Sequence, residues 1–296
     1  VKSRSYRLKN KESPAEGIRR IALGRTGKAI QELEGAGKGG DFAASIHAAR
    51  KDLKKLRAIL KLVRSGLGDS LYRAENRRYR AAGRLLAQSR DAEVKVETLG
   101  ALRERCGEEL SPDLAGAWLV ALERDRDDVA GRATSEEAGS RVAEARAAIE
   151  AGQEEIAGWP LPDDPWRVVE AGLLRSYRRG RRAMKDAVAD PVAENVHELR
   201  KRTKDFWYQL RILRDALGPD LGGMAEQAHE LADRLGEHHD LAVLAEDLAG
   251  RDLPGDRDAA RTTIESRQQE LLEGAFDIAA PLFAEKPKAF GKRLKS

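Results

Sequence analysis

Cysteine is nearly absent. Cys106 stands alone among 296 residues, so no disulfide can form within the chain and the redox compartment stays open. Aromatic residues make up only 5%, so a core must be built mainly from Leu, Ala, Val and Ile. No apolar run approaches the ~20 residues of a membrane span, and the first residues lack the apolar stretch of a secretory signal. The expectation is a soluble, cytoplasmic protein. Alternating apolar and polar residues, the mark of half-buried strands, are missing too. So are metalloenzyme spacings: neither His47 nor His197 belongs to an H-x-x-x-H or H-E-x-x-H pair. His238-His239-Asp240 suggests a metal phosphohydrolase, but the further spaced His and Asp ligands are not there. No catalytic residue, metal or cofactor is expected, and the protein reads as a non-enzyme.

Charge is plentiful, at 35% of residues, yet the formal net charge is only +4. The total hides an uneven distribution. Residues 108–158 carry thirteen Asp or Glu against five Arg, a net of −8, which leaves +12 on the remainder. Such segregation points to an anionic partner, with the acidic segment turned away from it.

One basic stretch occurs twice. Ile46-His47-Ala48-Ala49-Arg50-Lys51-Asp52-Leu53-Lys54 returns as Val196-His197-Glu198-Leu199-Arg200-Lys201-Arg202-Thr203-Lys204, 150 positions later. Both read apolar-His-x-x-Arg-Lys-x-x-Lys. Neither contains Gly or Pro, and both are rich in helix formers. At about 100° per residue, His47, Arg50, Lys51, Lys54, Arg57 and Lys61 share one stripe. In the second copy His197, Arg200, Lys201, Lys204, Arg211 and Arg214 do the same. Docking a helix requires one apolar face, but it does not require the opposite face to be almost purely cationic. From His47 to Arg64 such a helix offers a rail roughly 26 Å long.

Around these copies the chain reads as short-looped helices. A basic tail (1–13) precedes a single helical domain (14–285), and a second basic tail (286–296) follows. Within the domain, a first half of four helices (14–107) is joined by an acidic connection (108–158) to a second half (165–285). The boundary between halves is Trp159-Pro160-Leu161-Pro162-Asp163-Asp164-Pro165-Trp166, the one proline-rich stretch. Asp41 is expected to cap the first repeated helix, with Gly66 and Gly68 ending it. Ser89-Arg90-Asp91-Ala92-Glu93-Val94 and Gly236-Glu237-His238-His239-Asp240-Leu241 both read as tight turns. Asp91 and Asp240 are 149 positions apart, so the repeat keeps register across two motifs. Short loops favour antiparallel neighbours.

Three anionic or acidic partners suit these helices. Base readout calls for side chains aimed at base edges, and single strands call for aromatic platforms; the basic faces carry only Tyr177, Trp207 and Tyr208. Acidic protein partners of a granule scaffold are a further reading. A flexible, base-free polyanion such as inorganic polyphosphate needs many Arg and Lys along a groove and little shape discrimination, which fits best.

The paired His-x-x-Arg-Lys-x-x-Lys helices and the turns at Ser89–Val94 and His238–Val243 resemble the conserved histidine α-helical domain family, abbreviated CHAD. The resemblance covers nearly all of residues 14–285. It implies an all-α fold of two four-helix bundles, related by a pseudo-two-fold after an internal duplication, around a central basic cavity. It also implies a stand-alone member that binds inorganic polyphosphate and associates with polyphosphate granules in bacteria. The implied contacts are His47, Arg50, Lys51 and Lys54 in the first motif and His197, Arg200, Lys201 and Lys204 in the second. Arg57, Lys61, Arg211 and Arg214 extend the same rails. Arg90 matches the first turn, while His239 replaces that Arg in the second. Arg20, Arg25, Lys28, Arg175, Arg178, Arg179 and Arg182 are expected to line the cavity from the preceding helices.

Overall fold

The computed structural model describes residues 5–9, 12–36, 41–87, 91–133, 135–162, 166–216 and 219–294. It is all-α, and no strand occurs among the described residues. The helices are α1 (Pro14–Ala36), α2 (Phe42–Leu62), the short α3 (Arg64–Leu67), α4 (Asp69–Leu85), α5 (Asp91–Cys106) and α6 (Pro112–Ala133). They continue with α7 (Glu136–Glu155), α8 (Trp166–Ala189), α9 (Ala193–Leu213), α10 (Pro219–Ala249), α11 (Arg257–Leu282) and α12 (Pro287–Arg293). No described helix is long and apolar enough to cross a membrane.

The helix starts follow local chemistry. Ser13 and Glu16 form a reciprocal capping box at α1: the Glu16 N–H donates to Ser13 Oγ at 3.2 Å, and the Ser13 N–H donates to Glu16 Oε2 at 3.1 Å. Asp41 caps α2 as expected, accepting from the Ala44 N–H at 3.0 Å. After α2 the chain bends at Val63. Gly68, at φ +76°, then adopts the left-handed conformation that reverses it into α4.

Two closed four-helix sets result. One is α1, α2, α4 and α7; the other is α8, α9, α10 and α11. The acidic stretch is therefore not merely a connection. Its second helix, α7, completes the first set in the place expected of α5. Ala138, Ala145 and Gly152 keep the buried face of α7 small beside Ile149. A Cβ on Gly152 would collide with the Tyr79 ring, so α4 and α7 approach closely only because that carbon is missing. Gln153 Nε2 donates to Thr26 Oγ1 at 2.9 Å, tying α7 to α1.

The displaced α5 pairs with α6 as a hairpin and docks on the other set. Leu99, Leu102, Leu114, Trp118 and Leu122 pack with Leu241, Leu244, Leu248, Ile264 and Leu271 in a second apolar core. Asp247 pins it, accepting from Lys95 Nζ at 2.7 Å and Trp118 Nε1 at 3.0 Å, and pairing with Arg251. Burial alone would raise the Asp247 carboxyl, but hydrogen bonds from Arg251, Lys95 and Trp118 hold it down at about 2.

Further sequence readings are corrected by the fold. The turn expected at Gly236–Asp240 does not exist, because α10 runs unbroken from Pro219 to Ala249. One Gly without Pro does not stop a helix, and α10 spans both cores, with Leu231 and Leu235 in the first and Leu241, Leu244 and Leu248 in the second. The C-terminal tail folds as α12, whose Phe290 is fully buried and stacks on Tyr177 with centroids 4.1 Å apart. The N-terminal tail is also engaged. The Leu8 N–H donates to the Ile212 carbonyl at 2.9 Å, and Tyr6 Oη donates to the Lys55 carbonyl at 3.3 Å. Tyr6 and Leu8 bury apolar surface that basic composition alone concealed.

Candidate functional site

The two repeated helices cross each other. Gln209 Nε2 of α9 donates to the Ala58 carbonyl of α2 at 3.1 Å, inside the core. On one side of this crossing lies a cleft of about 670 Å³. From α2 it receives His47, Arg50, Lys51 and Lys54; from α9, Arg200, Lys204, Trp207 and Tyr208. The α10 helix contributes His229, Asp233, His239 and Asp240, and α5 contributes Asp91 and Lys95. The cleft is thus walled by both helix sets and by the α5–α6 hairpin.

Cations outnumber carboxylates there. Arg50, Lys51, Lys54, Lys95, Arg200 and Lys204 face Asp91, Asp233 and Asp240. The crowding shows in proton affinity. Desolvation by the cleft walls, then the charges of Lys204, Arg50 and Arg200, push Lys54 down to about 8. Desolvation and Arg200 also lower Lys204, against the opposing pull of Asp233 and Asp240. Arg50 Nη1 donates to the Ala87 carbonyl at 3.1 Å, which orients its guanidinium. Among the described residues, Arg200 Nε and His197 Nδ1 are buried without a hydrogen-bond partner. The His197 ring lies 5.0 Å from that of His239. Trp207 and Tyr208 stack on each other with centroids 4.7 Å apart and are buried, so they present no open platform for bases.

Beyond the crossing the same stripe enters a second, shallow basic depression. Lys61, Arg64, Arg175, Arg179 and Arg202 line it with Asp205, while Arg64 pairs with Asp69 at 2.8 Å and Arg202 also donates to Glu198 at 2.6 Å. Lys61 Nζ contacts both Asp205 oxygens at 2.6 Å. Arg57 Nε donates to Asn76 Oδ1 at 3.0 Å beside this group. The α9 helix therefore divides the expected rail into two basins.

Other predicted site residues lie elsewhere. Arg25 is buried against Asp52 at 3.0 Å, and Lys55 completes the group at 3.1 Å. Arg20 pairs with Glu12 and donates to the carbonyls of Ser5 and Arg7, anchoring the N-terminal segment. Both are structural cations, and Lys28, half-buried on α1, lines neither basin. Arg211 sits over the rings of Tyr6 and Trp207, at 5.5 and 5.2 Å from their centroids. Arg214 pairs with Asp215 at 3.1 Å, and Lys201 with Glu198 at 2.6 Å. Arg178 and Arg182 are exposed on α8. Arg90 lies outside the described residues.

Sequence reasoning missed Lys95, His229, Asp233 and Arg202, and it used Asp91 and Asp240 only to mark the register of the repeated turn. A signal existed in α10: His229, Asp233 and Asp240 recur at i, i+4 and i+11, one polar face of a single helix. The supposed turn at 236–240 obscured it. Among the described residues no group of three or more His, Cys, Asp or Glu is placed to hold a metal ion.

Comparison with known proteins bears on this architecture. No curated protein sequence matches the chain. The crystal structure of the CHAD domain from the plant Ricinus communis superposes with a TM-score of 0.57. That match covers 98% of this chain and 94% of the plant chain at 17% identity, a likeness of fold. A family model described as the CHAD domain matches residues 21–249, most of the helical body and both repeated motifs, and the chain belongs to the CHAD domain family.

Proposed function

We propose that the cleft between α2, α9, α10 and α5 captures inorganic polyphosphate, without catalysing its turnover. The observation that carries this reading is the convergence of Arg50, Lys51, Lys54, Arg200 and Lys204, cations of both repeated motifs, on one cleft, with the crowding felt as a lowered proton affinity of Lys54. Such a cluster is unfavourable in the free protein, and a chain of phosphates relieves it. Polyphosphate offers about one charge per phosphate and no bases, so it can bend to meet Arg and Lys from both walls and thread past Asp91, Asp233 and Asp240. Arg50 and Arg200 can grip two phosphate oxygens each, whereas the lysines supply point charges. The second depression around Lys61 and Arg175 is a secondary contact for the same chain. In a cell these contacts would bring the protein to polyphosphate granules.

The test is a titration with long-chain polyphosphate, beside single-stranded and duplex DNA of matched charge, at ~150 mM salt, where exposed charges are screened beyond ~8 Å. Lys51→Glu/Lys54→Glu/Lys204→Glu forms the control. Tight polyphosphate binding, weak DNA binding and loss in the triple variant are expected. Equal binding of all three polymers would reduce the cleft to a general cationic surface, and no polyphosphate binding by folded wild type would sink the proposal.

A further inference from the structure

The chain has five histidines, and four of them meet at the cleft. His47, His229 and His239 line it, and the His197 ring lies 5.0 Å from that of His239. They arrive from three helices, so local sequence does not gather them. Imidazole is the one ordinary side chain whose charge changes between pH 5 and 8. A cationic cleft floored by histidines is therefore built differently from one made of Arg and Lys alone.

The surroundings of His197 and His239 fix the direction of any proton movement. Desolvation, His239, Lys201 and Arg200 all disfavour the charged form of His197, and only Glu198 opposes them. For His239, desolvation and Arg200 disfavour the charge, while Asp240 and Glu246 on its own helix and Asp91 on α5 favour it. Across the cleft α2 presents Arg50, Lys51 and Lys54, all positive. In the empty cleft both rings are thus held neutral near pH 7. No fixed carboxylate takes up His197 Nδ1, which is buried and without a hydrogen-bond partner among the described residues.

We infer that the His197–His239 pair takes up a proton when a phosphate chain enters the cleft, so that capture tightens as the medium turns mildly acidic. This rests on the cleft being the polyanion site. A phosphate oxygen near the pair reverses the local field that Arg200 and Lys201 impose, and the imidazolium gains an acceptor it lacked. By linkage, a ligand that raises a proton affinity binds more tightly wherever the free site is unprotonated and the occupied site is protonated. Each proton taken up steepens affinity by at most about tenfold per pH unit.

The test is isothermal titration of the full chain with long-chain polyphosphate at pH 6.5, in two non-phosphate buffers of different ionisation heat. Proton uptake is read from the difference, and affinity is followed from pH 7 to 5.5, below the range in which Lys54 titrates. Wild type should take up roughly one proton and bind more tightly at the lower pH. His197→Gln/His239→Gln, which keeps hydrogen-bonding capacity, should bind more weakly than wild type at the lower pH, with the uptake and the slope removed. Should the double variant fail to fold by circular dichroism, His239→Gln alone serves, with a reduced uptake expected. Polyphosphate binding with no uptake in wild type, or full uptake in the variant, overturns the inference and leaves the polyphosphate reading standing. No binding at any pH overturns both.

Discussion

Lys54 of α2 and Lys204 of α9 stand at the same offset of the two repeated segments and line one cleft, where after burial the Lys204 charge is the largest reason that Lys54 falls to about 8. This has a direct consequence for pH. The free protein loses the Lys54 charge as pH rises through about 8, and a bound polyanion restores it. Polyphosphate affinity should therefore fall between pH 7 and 9, by at most about tenfold per unit. Lys54→Met should flatten that fall while weakening binding at pH 7. NMR of labelled lysines checks the titration directly; a Lys54 midpoint near the usual 10.5 in the free protein would contradict it.

The Arg25–Asp52 pair lies in the core of the first helix set, with side chains 7% and 2% exposed. Arg25→Ala leaves a buried carboxylate with only Lys55 beside it. Breaking such a pair costs about 3–5 kcal/mol, and the remaining lysine should keep the loss near the lower figure. Urea unfolding measures it. Polyphosphate affinity of the folded variant should be unchanged, because Arg25 lines neither basin.

Asp247 links stability to acid. Its carboxyl is held at about 2 against an ordinary 3.8, so its contribution is complete above pH ~4 and lost as pH falls toward 2. That difference is worth about 2 kcal/mol. Asp247→Asn should remove it at neutral pH and flatten the acid limb of stability between pH 4 and 2. Amide exchange should show α5 and α6 opening first, since this carboxylate holds Lys95 and Trp118.

Phe290 anchors α12 through Tyr177, whose hydroxyl donates to the Glu285 carbonyl at 2.8 Å. Phe290→Ala should cost about 3–5 kcal/mol as a large-to-small core change. Thermal unfolding reads it, and an unchanged midpoint would mean that α12 does not depend on this contact.

What could be read from sequence followed spacing and caps. Apolar periodicity and Asp41 marked a real helix start, while Gly68, expected to end α2, instead ends the short α3 after α2 has stopped at Leu62; the repeated offset marked Lys54 and Lys204, which line one cleft. Partner choice was illegible. Nothing in the α5 sequence announces that Leu99 and Leu102 pack with Trp118 and α10 instead of with α2. A single Gly at 236 could not be told from a turn, because propensity yields to the burial of Leu235 and Leu241 on either side. The roles of Arg20 and Arg25 depended on Glu12 and Asp52, carboxylates set 8 and 27 positions away by tertiary folding. An arginine stripe looks the same whether it awaits a ligand or an ion-pair partner.

The contacts that hold the two basic basins together are remote in sequence. Lys95 meets Asp247 across 152 positions, Gln209 meets Ala58 across 151 and Lys61 meets Asp205 across 144. Loop-closure entropy makes such contacts the late ones in folding. During synthesis the first basic helix emerges long before α9 and α10 exist to wall it in. A nascent chain therefore displays cations without a cleft, and the cleft itself exists only once the second half has been made and docked.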